Sequence, residues 1–375
     1  MIKNEEYMNR ISPVELRHQL HKNPETAYKE FDTTDLIIKS IKSLPGSDIL
    51  NYHQPMETGV LIEYHKNDGP FVLYRADIDA LPINEETGIE FESNNQNMHA
   101  CGHDVHTSIL YAFIEDILRE KPDLNLLFLF QPAEESGGGA IKFYNTGVFN
   151  AFKIKNAFAL HVTDEYTLGT IASTPGVLFA SALEIDIEFK GISSHIAFPL
   201  EGRNAFNALR LFLDVVDKRI RNDEPFIFGV GKIEAGFVRN IAPGRATLQG
   251  SLRGLSSQKV LEYIGSLKHI LEEIKSATGV DYSITLGAHY PEVMVDKVLY
   301  SKIESHLKDK FDFIDCGYKM TGEDFGFFSH KFKSFMFWLG TSEGERFGLH
   351  NPKFLPPDKT IDYGKDIFRR ILELV

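Results

Sequence analysis

The sequence predicts an α/β protein in which a discontinuous domain with a mostly parallel sheet is interrupted by a ferredoxin-like α+β insert. Three observations carry that reading. In the first half, continuous apolar runs of strand length alternate with helical patterns, as strands covered on both faces do. From about Ser181 the runs give way to strict alternation of apolar and charged residues, the mark of a strand with one wet face. After Pro291 the continuous runs return, so residues 1–178 and 290–375 are expected to form one domain and residues 179–289 the insert.

Taken in order, Phe71-Val72-Leu73-Tyr74 is the first apolar run. Asp104 then stands where it can cap a helix whose apolar residues Ile109, Phe113, Ile114, Ile117 and Leu118 recur at helical spacing. Residues 126–130 and 157–160 read as two further strands. In the insert, Leu183, Ile185, Ile187 and Phe189 alternate with Glu184, Asp186, Glu188 and Lys190. A helical pattern over residues 204–221 follows, then strand-like segments at 226–234 and 245–252, a helix over 258–277 and a last alternation at 282–286. The order β-α-β-β-α-β is that of a ferredoxin-like unit. Residues 335–339 form another apolar run, and a helix over 363–375 closes the chain.

Composition narrows the function classes. The 375 residues are 43% hydrophobic and 25% charged, the balance of an ordinary soluble globular chain. Forty Lys and Arg against 53 Asp and Glu leave a net charge of −13 with the acids dispersed, which argues against nucleic acid or anionic membrane as a partner. Met1 to Arg10 is polar and lacks the apolar core of a secretion signal, and no run approaches the roughly 18 apolar residues of a membrane span. With only Cys101 and Cys316, no disulfide framework is expected and a reducing cytoplasm is the expected location.

The chemistry-bearing residues gather just beyond predicted elements. Asp77 and Asp79 follow the first run, and His99-Ala100-Cys101-Gly102-His103-Asp104 opens the helix. Glu134-Glu135 follows the run at 126–130, His161 directly follows 157–160, and Gly348-Leu349-His350 follows 335–339. The carboxyl ends of strands in an open α/β sheet form one edge, so these acids, imidazoles and a thiol are expected in one place. Thiolate, imidazole and carboxylate suit Zn²⁺, Mn²⁺, Co²⁺ or Ni²⁺, whereas Ca²⁺ and Mg²⁺ prefer oxygen alone. Two adjacent acids can also split their roles, one coordinating and one taking a proton. Rival readings explain less. Ser193-Ser194-His195 lacks a G-x-S-x-G elbow, Gly137-Gly138-Gly139 lacks the G-K-[ST] of a phosphate loop, and a Cys101 nucleophile leaves Glu134, Glu135, His161 and His350 without a role.

The segments at 75–82, 98–104, 131–135, 159–161 and 320–325 resemble the amidohydrolase branch of the aminoacylase and carboxypeptidase metallohydrolase family. Within it the run at 320–325 and the strand at 335–340 resemble the N-acetyldiaminopimelate deacetylases most. The resemblance implies a site of two divalent ions held by Cys101, His103, Glu135, His161 and His350, with Glu134 as general base. It implies supporting roles for Asp77 and Asp79, as residues that orient ligands or tune the base. The insert is implied to be a lid and dimerisation domain in which His195 polarises the scissile carbonyl and the loop 239–243 meets the substrate. The Arg239 guanidinium and Asn240 amide suit a carboxylate, with a merely solvated arginine as the other reading. Ser193, Ser194 and Leu200 depart from the family's lid motif, where glycines and a second histidine are common. The implied reaction is removal of acetate from N-acetyl-L,L-diaminopimelate in lysine biosynthesis, with a broader N-acyl amino acid hydrolase of the hippurate or auxin-conjugate type, or a dipeptidase, as the alternative.

Overall fold

Ser12 caps the helix Pro13–Lys22. Its hydroxyl accepts from the Glu15 N–H, the Glu15 carboxylate accepts from the Ser12 N–H, and Pro13 fits the first helical position. The computed structural model describes residues 10–219 and 225–375. In chain order the elements begin with α1 (Pro13–Lys22), α2 (Phe31–Lys42), β1 (Leu50–His53), β2 (Val60–Tyr64), β3 (Phe71–Asp77), α3 (His103–Glu120), β4 (Asn125–Gln131), α4 (Gly139–Asn145), β5 (Ile154–Thr167), β6 (Ile171–Ser173) and β7 (Gly176–Phe179). The middle of the chain holds β8 (Ser181–Lys190), β9 (Ser194–His195), α5 (Ala205–Arg219), β10 (Phe226–Ala235), β11 (Ile241–Ala242), β12 (Arg245–Gly254), α6 (Ser257–Thr278) and β13 (Asp281–Tyr290). The chain ends with β14 (Val293–Val295), α7 (Lys297–Leu307), β15 (Phe313–Asp315), α8 (Gly326–Ser329), β16 (Lys333–Ser342) and α9 (Thr360–Leu372).

Two units result. One takes in the chain up to Leu178 together with Val293–Tyr318 and Asp324–Val375; the other is Phe179–Glu292 with Lys319–Glu323. The return to the first unit thus falls three residues later than the expected 290, and a short stretch after Tyr318 joins the second unit.

The first unit is an α/β layer. Its sheet runs β1-β2-β4-β3-β5-β16-β6-β15, and the central pairs β4-β3, β3-β5 and β5-β16 are parallel. Every residue of β3 and β4 is buried, which is why both read as unbroken apolar runs. Two local expectations change. His161 lies inside β5 rather than after it, because β16 carries the pairing on as far as Thr167. Asp104 does not cap α3: Gly102 in the left-handed region is the N-cap, and the Asp104 carboxylate instead accepts from Arg17 and His21.

The second unit has a four-stranded sheet in the order β10-β12-β8-β13 with antiparallel neighbours throughout, the ferredoxin-like order. Leu183, Ile185, Ile187 and Phe189 of β8 form its core with Ala208 and Phe212 of α5 and Leu267 and Leu271 of α6. The helix expected over 204–221 is seen as far as Arg219, and its last two residues lie outside the described ones, as does most of the N-terminal stretch read for a secretion signal. Among the described residues no helix is long and apolar enough to cross a membrane.

Candidate metal centre

Sharp backbone turns at the ends of the parallel strands deliver the site. Gly102, at φ 81°, places Cys101 and His103 on either side of the start of α3, and a Cβ there would lie 2.4 Å from Val162 Cγ2, so only glycine fits. Two non-glycine residues share that left-handed conformation nearby, Ala133 at φ 56° just before Glu134 and His350 at φ 63°. Such strain gathers where a site demands a particular direction of the chain.

Five of the predicted residues converge. Cys101 Sγ lies 3.3 Å from His161 Nε2 and 3.4 Å from His350 Nε2. Glu135 Oε1 is 3.5 Å from His350 Nε2 and 3.8 Å from His103 Nε2. Donor atoms held about 2.0–2.3 Å from one tetrahedral ion stand about 3.3–3.8 Å apart, which matches these separations. Glu134 joins the group with His103 and Glu135.

The donors' other sides are held so that lone pairs face inward. His161 Nδ1 is 2.8 Å from the Val162 carbonyl and must donate to it, leaving Nε2 bare. His103 Nδ1 likewise donates to the Asp79 carbonyl at 2.9 Å and faces its carboxylate at 3.2 Å. His103 Nε2 and Glu135 Oε1 are buried without a hydrogen-bond partner, an expensive arrangement that a cation would relieve.

Electrostatics agree. Burial, with His106 nearby, lowers the His161 imidazole to about 3, so it is neutral and able to ligate. Burial and the Glu135 and Glu134 carboxylates push the Cys101 thiol well up, so a cation is needed to hold it as thiolate. Burial would depress His103, but Asp77, Asp79 and Glu135 outweigh it and raise it to about 10. A proton sits where a metal ion would compete for Nε2. This donor set fits a divalent metal ion.

Asp77 and Asp79 lie behind these donors. Asp77 Oδ1 accepts from His106 Nδ1 at 2.5 Å, and Oδ2 accepts from Arg75 Nη1 at 2.7 Å while facing His103 Nε2 at 3.6 Å. The Val162 N–H donates to His106 Nε2. Asp79 Oδ2 accepts the Glu135 N–H at 3.0 Å, fixing the peptide that bears the neighbouring glutamates. Sequence reasoning missed His106, although its spacing from His103 puts both on one helix face. It gave no role to Arg75, inside the segment 75–82, whose buried guanidinium joins Asp77 to Asp324 at 2.8 Å across 249 positions; no local pattern signals that link.

His195, Arg239 and Asn240 lie in the second unit, on or next to a two-stranded ribbon in which His195 of β9 pairs with Ile241 of β11. The Ile196 N–H donates to the Asn240 carbonyl. The Ala197 N–H donates to His195 Nδ1 at 3.1 Å, so a neutral His195 carries its proton on Nε2, available to an acceptor. All three residues are exposed, and Leu200 is 99% exposed.

An α/β sheet edge that gathers a thiol, imidazoles and carboxylates fits a metal-binding protein, and comparison with known proteins makes it a hydrolase. Residues 73–374 match the model of peptidase family M20/M25/M40, and the chain belongs to that family. It is 38% identical to an N-acetyldiaminopimelate deacetylase of Exiguobacterium sibiricum over 93% of this chain and 95% of that one. It is 35% identical to one of Listeria innocua over 96% and 98%. Among solved structures, a dinuclear metal binding peptidase of the M20 family from Bacillus subtilis superposes with a TM-score of 0.82 at 25% identity, covering 96% of this chain and 97% of that one.

Proposed function

We propose that this protein hydrolyses the acetyl amide of N-acetyl-L,L-diaminopimelate, giving acetate and L,L-diaminopimelate, a step of lysine biosynthesis in the cytoplasm. The observation that carries the hydrolysis is the pair Glu134-Glu135 beside a donor cluster of one thiol and three imidazoles. Similarity to the two named deacetylases over nearly their whole length supports the choice of substrate.

In this reading Cys101, His103, Glu135, His161 and His350 hold two divalent ions, drawn from Zn²⁺, Mn²⁺, Co²⁺ and Ni²⁺. The bound ions supply Lewis acidity and acidify water toward neutral pH. Glu134 takes a proton from the attacking water and returns it to the leaving nitrogen. Asp77 and Asp79 keep His103 and the glutamate peptide oriented. His195 donates from Nε2 to the carbonyl oxygen as charge develops there, and Arg239 and Asn240 pair with the substrate carboxylate. The first unit is thus the catalytic domain, and the second is the lid, through which two copies associate.

A substrate panel tests the assignment. The purified protein, loaded in turn with each of the four metals, is assayed on acetyl-diaminopimelate and on acetylated, benzoylated and indole-acetyl amino acids and dipeptides. The expected result is a kcat/KM for acetyl-diaminopimelate at least about tenfold above every other compound, a difference of about 1.4 kcal/mol. A preference for benzoyl, indole-acetyl or dipeptide substrates would overturn the substrate, and no hydrolysis with any metal would overturn the reaction.

A further inference from the structure

Glu30 is a carboxylic acid with no solvent exposure, lying between α1 and α2 at the N-terminal edge of α2. Its Oε1 accepts the Ala133 N–H at 2.8 Å, and its Oε2 has no hydrogen-bond partner. Burial raises the Glu30 carboxyl to about 7 although the Glu30 and Ala133 N–H groups and Thr58 favour its charged form, so burying an acid here is costly and calls for a purpose beyond filling space.

The peptide it grips supplies one. Ala133 is fully buried and left-handed at φ 56°, a conformation a residue with a Cβ adopts only under constraint. Its carbonyl accepts from the Gly139 N–H at 2.9 Å, and Pro132 ahead of it abuts Gly59, where a Cβ would come within 2.4 Å of Pro132 Cδ. Gly59 is tied back to the same place: its N–H donates to Thr34 Oγ1, which donates to the Glu30 carbonyl. On the far side of Glu134, the Glu135 N–H is held by Asp79. Glu134 therefore projects from between two clamped peptides, and Glu30 is the side-chain clamp on the strained one.

We propose that Glu30 is a positioning residue for Glu134, holding Ala133 in its left-handed conformation so that the Glu134 carboxylate points at the water and leaving nitrogen. The inference rests on the reading of Glu134 as general base. What the position requires is a hydrogen-bond acceptor at the reach of a glutamate.

Three variants test it: Glu30→Met keeps the volume and removes the acceptor, Glu30→Gln keeps reach and acceptor, and Glu30→Asp keeps the charge and shortens the reach. Wild type and Glu134→Gln run in the same assay; a turning-over wild type with an inactive Glu134→Gln secures the base, so the Glu30 variants then bear on this proposal alone. E30M is expected to lose about 100-fold in kcat, the scale of a misplacement near 1 Å, with KM and bound metal within about twofold of wild type. E30Q is expected to stay within about fivefold of wild type, a change of about 1 kcal/mol in the barrier. Should E30M not fold, E30D takes its place with the same expected loss. An acceptor-free or shortened variant that keeps wild-type kcat would overturn the proposal. So would an E30Q as impaired as E30M, or losses of metal or of KM that track kcat.

Discussion

Adjacent carboxylates can perform different tasks only if their surroundings differ. Burial would raise Glu135, but the His350 imidazole 3.5 Å from its Oε1 and the charge of His103 pull it down to about 2, so it stays anionic as the proposed ligand role requires. Replacing Glu134 with Gln should remove the proton acceptor and leave that anion untouched. A fall in kcat of about 10²–10⁴-fold is expected, with metal content unchanged by elemental analysis; near-normal turnover would remove Glu134 from its role. A second residue gives the fold a pH signature. Burial alone would lower His21, but the charge and hydrogen bond of Asp104, joined by those of Glu85, raise it to about 9. A raised histidine contributes stability in full below its unfolded value near 6.5 and loses it as pH climbs through about 9. Unfolding free energy should therefore drop by up to about 3 kcal/mol across that alkaline window. Denaturant melts at pH 6.5 and 9.5 should show a smaller difference for His21→Gln, and an equal one would refute the linkage.

At the scale of elements, the site depends on how α3 begins. Gly102→Ala would force a Cβ into Val162 and into a left-handed backbone, displacing Cys101 and His103 together. The expected outcome is a loss of about 2 kcal/mol in stability and a larger drop in metal affinity, read by melts with and without metal and by competition with a chelator. Unchanged affinity would show that the turn does not set the ligands. What could be read beforehand follows the range of the forces involved. Strands β3 and β4 are buried on both faces and spell themselves out as apolar runs, and the wet face of β8 shows as alternation. Of the converging side chains, Glu134, Glu135 and His161 were legible because each sits at or near the end of such a run, and Cys101 and His103 because they open the periodic pattern of α3. Beyond local range the signal fades. Asp104 looks like a cap because its partners Arg17 and His21 are 87 and 83 positions away. His161 looks like a loop residue because only pairing with β16 extends β5 past it. Arg75 and Asp324, likewise, meet only once the sheet has formed.

At the scale of the whole molecule, the sheet of the second unit leaves β10 at one edge, and an edge strand with exposed apolar residues invites pairing with another chain. Ile227, Val230 and Ile233 are 43%, 37% and 44% exposed on it. A net charge of −13 per chain opposes the approach of two copies, so an association that occurs must draw on apolar burial and edge hydrogen bonds rather than on long-range attraction. Two consequences separate this from an electrostatic dimer. Raising the salt concentration shortens the Debye length from about 30 Å at 0.01 M to about 8 Å at 0.15 M, which screens the repulsion and should tighten the proposed dimer. Ile233→Lys should convert it to monomer without unfolding the insert, since the side chain is half exposed and lies outside the core of β8, α5 and α6. Sedimentation velocity at both salt concentrations measures both effects. A wild type that is monomeric throughout, a dimer that survives Ile233→Lys, or one that dissociates as salt rises would remove β10 as the meeting edge.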